Sequence, residues 1–260
     1  MRKLKRKILL TLSLPIDFFK SSEGFQYRPY NYIYFLLDFR RGSIRDAMGQ
    51  LVKSGEVDKI VRNNVPFFRL TGMGRERLLS FFPISIGQSR VWDKRWRIAI
   101  VSSKFKVKSS KLKEFGFKRL ARGVYITPMA VSEELKSYLL EENLLGKVTV
   151  IESRRLIGSD DKNLAKKIWK LEEIIEKYSS FIKGCESLLK KIRSQKRLGV
   201  REKNEVKELF NDYFLLLSVD PGLPKKVLPS DWPADFGREV FLKIFEDLEK
   251  ESRMMRFDML

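Results

Sequence analysis

The hydrophobic pattern between residues 43 and 71 changes from a helical period to an alternating one. Five apolar residues recur at intervals of three and four, the spacing of one face of an α-helix: Ile44, Ala47, Met48, Leu51 and Val52. Ser43 precedes them as the predicted N-cap, with Asp46 in the capping-box position, and Gly55 follows as a predicted C-terminal stop. The pattern predicts a short capped helix with one buried face.

The residues after this helix predict a two-stranded hairpin. Strands are expected at residues 57–61 and 67–70, and Asn63 and Asn64 between them tolerate the positive φ angles of a tight turn. Arg62 lies at the predicted tip. A helix followed directly by a hairpin indicates a winged helix-turn-helix, although ordinary α+β domains contain the same order of elements.

The face of this helix that carries no apolar residue has side chains suited to DNA. Arg45 and Gln50 present paired hydrogen-bonding groups that match guanine and adenine edges in the major groove, and Lys53 is expected to contact phosphate. The arginine pair before the helix would also contact phosphates, and a basic hairpin tip suits the minor groove or the backbone. The predicted DNA-binding residues are Arg40, Arg41, Ser43, Arg45, Gln50, Lys53, Arg62 and Asn63.

Further helices are predicted on both sides of this segment. Residues 1–16 begin with five basic residues and continue as an apolar run, which is typical of a signal peptide or of a first helix with a basic arm. In the second case the arm, which can reach phosphates, consists of Arg2, Lys3, Lys5, Arg6 and Lys7. No small-x-small cleavage site follows, and this favours the helix. Residues 30–40 predict a packed helix, 71–82 a closing helix and 83–89 a linker. Four tyrosines are predicted to pack rather than to stack on bases: Tyr27, Tyr30, Tyr32 and Tyr34.

The middle of the chain predicts a β-α-β-β-α-β order, which indicates a ferredoxin-like domain at residues 89–158. The predicted strands are 98–101, 117–120, 124–127 and 148–152, and the predicted helices are 108–115 and 132–142. Such a domain can be a nuclease subunit, an RNA binder or a dimerisation unit. A metal-dependent nuclease needs carboxylates at strand ends, whereas Ser102, Ser103 and Lys104 follow the first strand. Nuclease chemistry is disfavoured, and no catalytic or metal-binding residue is assigned.

The remaining residues, 159–260, predict a helical domain. An amphipathic stretch runs from about residue 161 to 192, and further helices are expected at 201–217 and 235–251. Trp232 lies in an extended segment before the last helix. We consider Trp232 and Arg238 as candidates for an effector site, because an aromatic ring and a cation can receive a ring and an anion. Core packing of Trp232 and a solvated Arg238 are the alternative. The expected fold class is therefore α+β, with domains at 1–88, 89–158 and 159–260.

Charge favours a polyanionic partner. The 260 residues contain 53 Lys+Arg, 33 Asp+Glu and no His, a net charge of +20. Residues 1–90 carry a net +10 (17 basic, 7 acidic), residues 91–158 carry +8 (15 and 7) and residues 159–260 only +2 (21 and 19). The nucleic-acid surface is therefore expected in the first two domains.

Cysteine and histidine usage excludes several kinds of site. A single cysteine, Cys185, cannot form an intramolecular disulfide, and a chain without His has no His-based zinc site or His-dependent catalytic triad. No cofactor is expected. No apolar run reaches the length of a membrane span, and the cytoplasm is the simplest expected compartment.

Four groups of motifs, in this order, resemble one known family. They are Ser43 to Thr71, Trp92 to Arg97, Phe115 to Phe117 with Gly123 to Pro128, and Asp220 to Pro224 with Leu228 to Pro233. The chain resembles the PaaX-type repressors of phenylacetate degradation over almost its whole length. The resemblance implies a homodimeric repressor that binds palindromic double-stranded DNA through an N-terminal winged helix. It also implies a middle domain like the small CRISPR adaptation nuclease subunit and a helical domain that responds to an effector.

The effector of the best-known PaaX-type repressors is phenylacetyl-coenzyme A. The resemblance therefore implies release from DNA by a small molecule of the acyl-coenzyme A type. This sequence has no recognisable coenzyme A motif, and the effector's identity stays open. Two other functions also stay open: a non-specific DNA-binding or RNA-binding protein that uses the basic middle domain, and a metal-dependent nuclease of the CRISPR adaptation type.

Overall fold

The computed structural model describes residues 2–14, 25–82, 92–102, 109–158, 160–194 and 198–250. The predicted linker at 83–89, and Ser103 and Lys104 after the first middle strand, lie outside these ranges. Within them the chain is α+β, with helices and two antiparallel sheets. None of the described helices is long and apolar enough to cross a membrane.

The chain divides into two compact units. The first contains the described residues of 1–82, 176–219 and 233–260, and the second contains those of 83–175 and 220–232. These units differ from the three consecutive segments predicted from sequence, because the C-terminal helices share a unit with the N-terminal elements. Apolar contacts between residues far apart in the chain create this arrangement, and a local pattern does not reveal them.

In the N-terminal part of the first unit, the described residues form four helices and three strands. They are α1 (Arg2–Ser13), β1 (Arg28–Pro29), α2 (Tyr30–Leu36), α3 (Arg41–Lys53), β2 (Val57–Arg62), β3 (Val65–Leu70) and α4 (Gly72–Phe81). The sheet has the order β1-β3-β2 with antiparallel pairing throughout. Helix α2 is shorter than predicted, because Leu37 takes an extended backbone and its N–H closes the last turn on Ile33. The side chain of Thr71 caps α4 by accepting a hydrogen bond from the N–H of Gly74 at 3.0 Å.

Helix α3 has the predicted apolar face but a different start. Ile44, Ala47, Met48 and Leu51 are buried. The helix begins at Arg41, since the N–H of Ile44 bonds to the carbonyl of Arg40 at 3.1 Å, and the N-cap Arg40 makes no side-chain capping bond. Ser43 therefore lies in the first turn and is not the N-cap, and the predicted capping box with Asp46 does not form. Gly55 follows the helix at φ 77°, as predicted for its end.

The hairpin after α3 matches its prediction. Strands β2 and β3 pair in the register Val57↔Leu70 to Arg62↔Val65, which leaves Asn63 and Asn64 as a two-residue turn. Their φ angles are 49° and 62°, the left-handed values that this turn requires.

The basic arm predicted at the N-terminus is only partly available to solvent. Lys7 is buried, and its ammonium donates a hydrogen bond to the Asn211 side chain. Burial lowers the pKa of Lys7. The Arg6 guanidinium lies 4.5 Å from the centre of the Phe81 ring. The expectation that Lys7 reaches phosphate was therefore wrong, because the apolar face of α1 extends to this lysine.

Three C-terminal helices also belong to the described part of the first unit. Helix α8 spans Leu171–Ser194 and enters this unit from residue 176, α9 spans Val200–Val219, and α10 spans Ala234–Lys250. The aromatic rings of Phe181, Tyr213 and Phe241 meet at their centre, with centroid distances of 4.3 to 5.8 Å.

Helix α9 also packs against the N-terminal elements of the first unit. The ring of Phe214 lies edge-on to Phe82, with centroids 5.9 Å apart. An ion pair between the Arg28 guanidinium and Glu249 joins β1 to α10. The same guanidinium lies 4.7 Å from the centre of the Tyr32 ring. The two ends of the chain therefore share one core.

The described residues of the second unit form a four-stranded sheet and three complete helices. They are β4 (Trp96–Val101), α5 (Ser109–Glu114), β5 (Lys118–Ala121), β6 (Val124–Thr127), α6 (Ser132–Glu141), β7 (Val148–Ser153) and α7 (Asp161–Trp169), and a short 3₁₀ turn follows at Lys225–Val227. The sheet order is β5-β6-β4-β7, and all neighbours are antiparallel. The amphipathic stretch predicted as one helix is divided, because Lys170 takes a left-handed backbone with φ 54° and separates α7 from α8.

A buried arginine organises the segment that opens this sheet. Arg97 is 3% exposed, and its guanidinium pairs with Asp93 and donates to the hydroxyl of Ser132 at 3.0 Å. The hydrogen bond from Arg97 lowers the pKa of Asp93. Trp96 is fully buried beside it and donates from its indole nitrogen to Asp161 at 2.7 Å. These contacts give the Trp92 to Arg97 motif a structural role.

Candidate nucleic-acid interface

The outward face of α3 consists of exposed polar residues and uncovered backbone. Arg45, Gln50 and Lys53 are exposed, as the apolar period predicts. Gly42 and Gly49 are seven residues apart and lie near the centre of this face, opposite the buried stripe. A Cβ added to either glycine would meet no heavy atom within 4 Å. Arg45 and Gln50 therefore flank a strip of helix whose backbone is uncovered at the two glycines. Asp46 between the glycines and Lys53 beyond them carry exposed side chains.

A tyrosine of α2 holds two arginines of α3. The hydroxyl of Tyr34 accepts a hydrogen bond from Nε of Arg45 at 3.1 Å. The guanidinium of Arg41 lies 5.1 Å from the centre of the Tyr34 ring, within the range of cation–π attraction. Tyr34 stacks in turn on Tyr30, with centroids 5.4 Å apart and planes 10° from parallel, and Tyr30 contacts Phe68 of β3 edge-on at 4.6 Å. Arg41 and Arg45 are thus connected to the core through aromatic rings.

A second aromatic residue lies across the hairpin. The hydroxyl of Tyr27 donates to the carboxylate of Asp58, which also pairs with Arg69 at 2.9 Å. The hydrogen bond from Tyr27 lowers the pKa of Asp58 and the same bond raises the pKa of Tyr27. The guanidinium groups of Arg69 and Arg62 lie 4.5 and 6.0 Å from the centre of the Tyr27 ring. The charge of Arg69 is thereby balanced by the Asp58 carboxylate, while Arg62 at the tip is exposed to solvent.

All eight predicted DNA-binding residues are exposed. Their positions are Arg40 before α3, Arg41, Ser43, Arg45, Gln50 and Lys53 on α3, Arg62 at the end of β2 and Asn63 in the turn. Among the described residues, no carboxylate lies within ion-pair distance of the four cations Arg41, Arg45, Lys53 and Arg62. Their charges remain available to an external anion.

Sequence reasoning missed the aromatic partners of these cations. The tyrosines were expected only to pack, and this holds for Tyr32, which is buried. Tyr34 and Tyr27 also contact these cations. The four-residue spacing of Tyr30 and Tyr34 on one helix is a signal for their stacking. The partners Tyr34 and Arg45, however, are eleven residues apart on different helices, and no local period joins them.

The two effector candidates lie in different compact units. Arg238 belongs to the first unit, is 3% exposed and pairs with Asp235 of the same helix at 2.6 Å. It is therefore not the solvated charge that sequence reasoning considered. Trp232 belongs to the second unit and is half-buried. Arg238 therefore has a structural partner within its own helix.

Other chemistry is sparse in the described part of the chain. No three Cys, Asp or Glu side chains there form a group that could hold a metal ion. Cys185 is buried, and burial raises the pKa of its thiol to about 12, which keeps the sulfur protonated at neutral pH.

Comparisons with known proteins match most of the chain. The profile of the PaaX protein central Cas2-like domain matches residues 89–165, and that of the PaaX-like protein C-terminal domain matches residues 169–256. The solved structure of the uncharacterized protein Rv0674 from Mycobacterium tuberculosis is similar with a TM-score of 0.51 and 18% sequence identity, over 95% of this chain and 96% of that one. No curated protein matches significantly. The chain therefore belongs to the PaaX-like family.

Proposed function

We propose that this protein is a sequence-specific DNA-binding transcriptional regulator without enzymatic activity. The single observation that carries the proposal is the outward face of α3, where Arg45 and Lys53 have no carboxylate partner among the described residues and two glycines leave the backbone uncovered. A hairpin with an exposed arginine at its tip follows this helix directly. Membership of the PaaX-like family supports the same function.

In this proposal, the N-terminal elements act as a winged helix-turn-helix. Helix α3 enters the major groove, Arg45 and Gln50 contact base edges, and Lys53 contacts phosphate. Arg62 and Asn63 bring the hairpin into the minor groove or against the backbone. At Gly42 and Gly49 no side chain separates the backbone from the bases, and this allows a close approach at these two positions.

The proposed active form is a homodimer on a palindromic operator. Two α3 helices would enter successive major grooves about one helical turn apart. The middle domain is proposed as ferredoxin-like on the strength of its strand order, and the C-terminal helices are proposed to respond to the effector. Repression follows from occupation of promoter DNA in the cytoplasm, and relief requires a small molecule that prefers the unbound conformation.

Binding to DNA upstream of the protein's own gene tests the proposal. We expect a discrete footprint and fluorescence-anisotropy binding that survives an excess of random duplex and of structured RNA at near-physiological salt. Affinity should fall steeply as salt rises, because phosphate contacts release counterions. Equal competition by random duplex or by RNA would overturn the proposal.

Two substitutions distinguish base reading from phosphate contact. Arg45→Ala should remove about 1 to 3 kcal/mol of discrimination at one base pair of the operator, because a paired donor to a base edge is lost. Lys53→Ala should weaken binding to all sequences about equally and reduce the salt dependence. Both are measured by anisotropy titration on the operator and on single-pair variants. An unchanged sequence preference in Arg45→Ala would contradict the assigned reading face.

The charge of the middle domain favours one alternative function. Residues 91–158 carry a net +8, and Lys118 and Arg119 are exposed on the edge strand β5. A protein that uses this surface would bind duplexes or RNA without sequence preference, through phosphate contacts alone. The competition assay above separates this function from the first, because only a sequence-specific regulator retains its footprint.

A further inference from the structure

We infer that Tyr34 is a positioning residue that presents the end of the Arg45 guanidinium to a guanine. The inference rests on the proposed function and specifies the base that α3 reads. It begins from a hydrogen bond of the Arg45 side chain, in which Nε donates to the hydroxyl of Tyr34 at 3.1 Å.

The geometry of the guanidinium determines which of its donors remain. Arginine carries five N–H groups in a rigid planar fork, one on Nε and four on the two terminal nitrogens. Since the N–H of Nε is engaged by Tyr34, the donors left for an external partner are those of Nη1 and Nη2. Two adjacent donors match the O6 and N7 acceptors of guanine, and no other base edge offers two acceptors side by side in the major groove.

Tyr34 is held firmly enough to direct a flexible side chain. Its ring stacks on Tyr30, which contacts Phe68, and Phe68 is 2% exposed. The guanidinium of Arg41 also lies 5.1 Å from the centre of the Tyr34 ring. An arginine free in solution loses several rotatable bonds on binding, and a partner that fixes it beforehand reduces that loss.

A purely structural role does not account for this bond. The Arg45–Tyr34 bond is exposed, and a hydrogen bond open to water contributes little to folding, because water replaces either partner. Arg45 also has no carboxylate within ion-pair distance among the described residues. The bond therefore acts on the direction of the guanidinium more than on the stability of the fold.

The variant Tyr34→Phe tests the inference in the full-length protein. It keeps the stacked ring and removes the hydroxyl that Arg45 contacts. On an operator defined by footprinting, with each G·C pair replaced in turn by A·T, we expect the preference for one G·C pair to fall about tenfold. Binding to random duplex should stay unchanged. Tyr30→Phe is the matched control, because it removes the hydroxyl of the other ring in the same stack, and its preference should equal that of the wild type.

The double variant Tyr34→Phe/Arg45→Ala shows whether Tyr34 acts through Arg45. We expect it to discriminate no worse than Arg45→Ala alone. If wild-type protein prefers its operator but Tyr34→Phe keeps the full preference, the positioning role is wrong and the proposed function stands. A further loss in the double variant would also overturn it, since Tyr34 would then act independently. If the wild type shows no sequence preference, the proposed function and this inference fail together.

Discussion

Gly49 illustrates how the absence of a side chain affects both stability and binding at one position. Its backbone lies on the outward face of α3, where a Cβ would contact nothing within 4 Å. A helix with glycine in its interior is less stable than the same helix with alanine, because the glycine backbone loses more conformational freedom on folding. A glycine in such a position is unfavourable for the helix alone, and the proposed approach of α3 to DNA gives it a use.

The substitution Gly49→Ala separates these two effects. We expect it to raise the free energy of unfolding by about 0.5 to 1 kcal/mol, measured by urea denaturation. The added methyl group should at the same time weaken DNA binding, because it projects from the face that approaches the groove.

Gly72→Ala is the matched control for this prediction. Gly72 lies in helix α4 and a Cβ there also meets nothing within 4 Å. This variant should leave DNA affinity unchanged. A Gly49→Ala protein that binds its operator as tightly as the wild type would show that α3 does not approach DNA through this strip.

At the level of single elements, the sequence predicted the features that depend on residues close together in the chain. The buried stripe of α3 and the two-asparagine turn were confirmed, because both depend on residues three to five positions apart. The start of α3 was predicted wrongly, since Ser43 is a favourable N-cap but the first turn closes on Arg40. The division at Lys170 was missed because a lysine in a left-handed conformation has no sequence signal. The hydrogen bond between Tyr34 and Arg45 was also missed, because it depends on packing between two helices and no local period joins the two residues.

The hairpin turn gives a prediction at this scale. Asn64 has a φ of 62°, a conformation that a β-branched side chain adopts only with strain. Asn64→Val should therefore reduce the free energy of unfolding by about 1 to 2 kcal/mol, measured by thermal and urea denaturation. Because the hairpin tip is proposed to contact the DNA backbone, affinity should fall for operator and random duplex alike.

Asn64→Gly is the control for the turn. Glycine takes a positive φ without strain, and Asn-Gly is favoured in this type of turn, so stability should be retained or raised. If Asn64→Val were as stable as Asn64→Gly, the turn would not have the left-handed geometry described above.

At the level of the whole molecule, the first unit is assembled from both ends of the chain. The Arg28–Glu249 pair joins residues 221 positions apart, and the side chains are only 12% and 23% exposed. Arg28 also contacts the Tyr32 ring, so the same guanidinium connects β1, α2 and α10. Neither the pair nor the packing of Phe214 on Phe82 follows from any local pattern, and this explains why the predicted domain borders differ from the compact units.

The contribution of the Arg28–Glu249 ion pair to the free energy of unfolding can be measured. Glu249→Gln leaves the largely buried guanidinium of Arg28 without its carboxylate, which should lower the free energy of unfolding by about 1 to 3 kcal/mol in urea denaturation. Glu246→Gln is the control, because Glu246 is an exposed carboxylate on the same helix. Equal stability of the two variants would mean that the Arg28–Glu249 pair does not hold the ends of the unit together.

The joining of both chain ends in one unit also affects how the protein is made. A ribosome synthesises the N-terminal helices first, but the faces of Phe82 and Lys7 that α9 covers stay open until the polypeptide has grown past residue 219. Contacts of such large sequence separation form slowly, because a long loop must close before they stabilise the fold. Nascent chains therefore expose apolar surface through most of translation, and premature termination yields fragments that require chaperones or degradation.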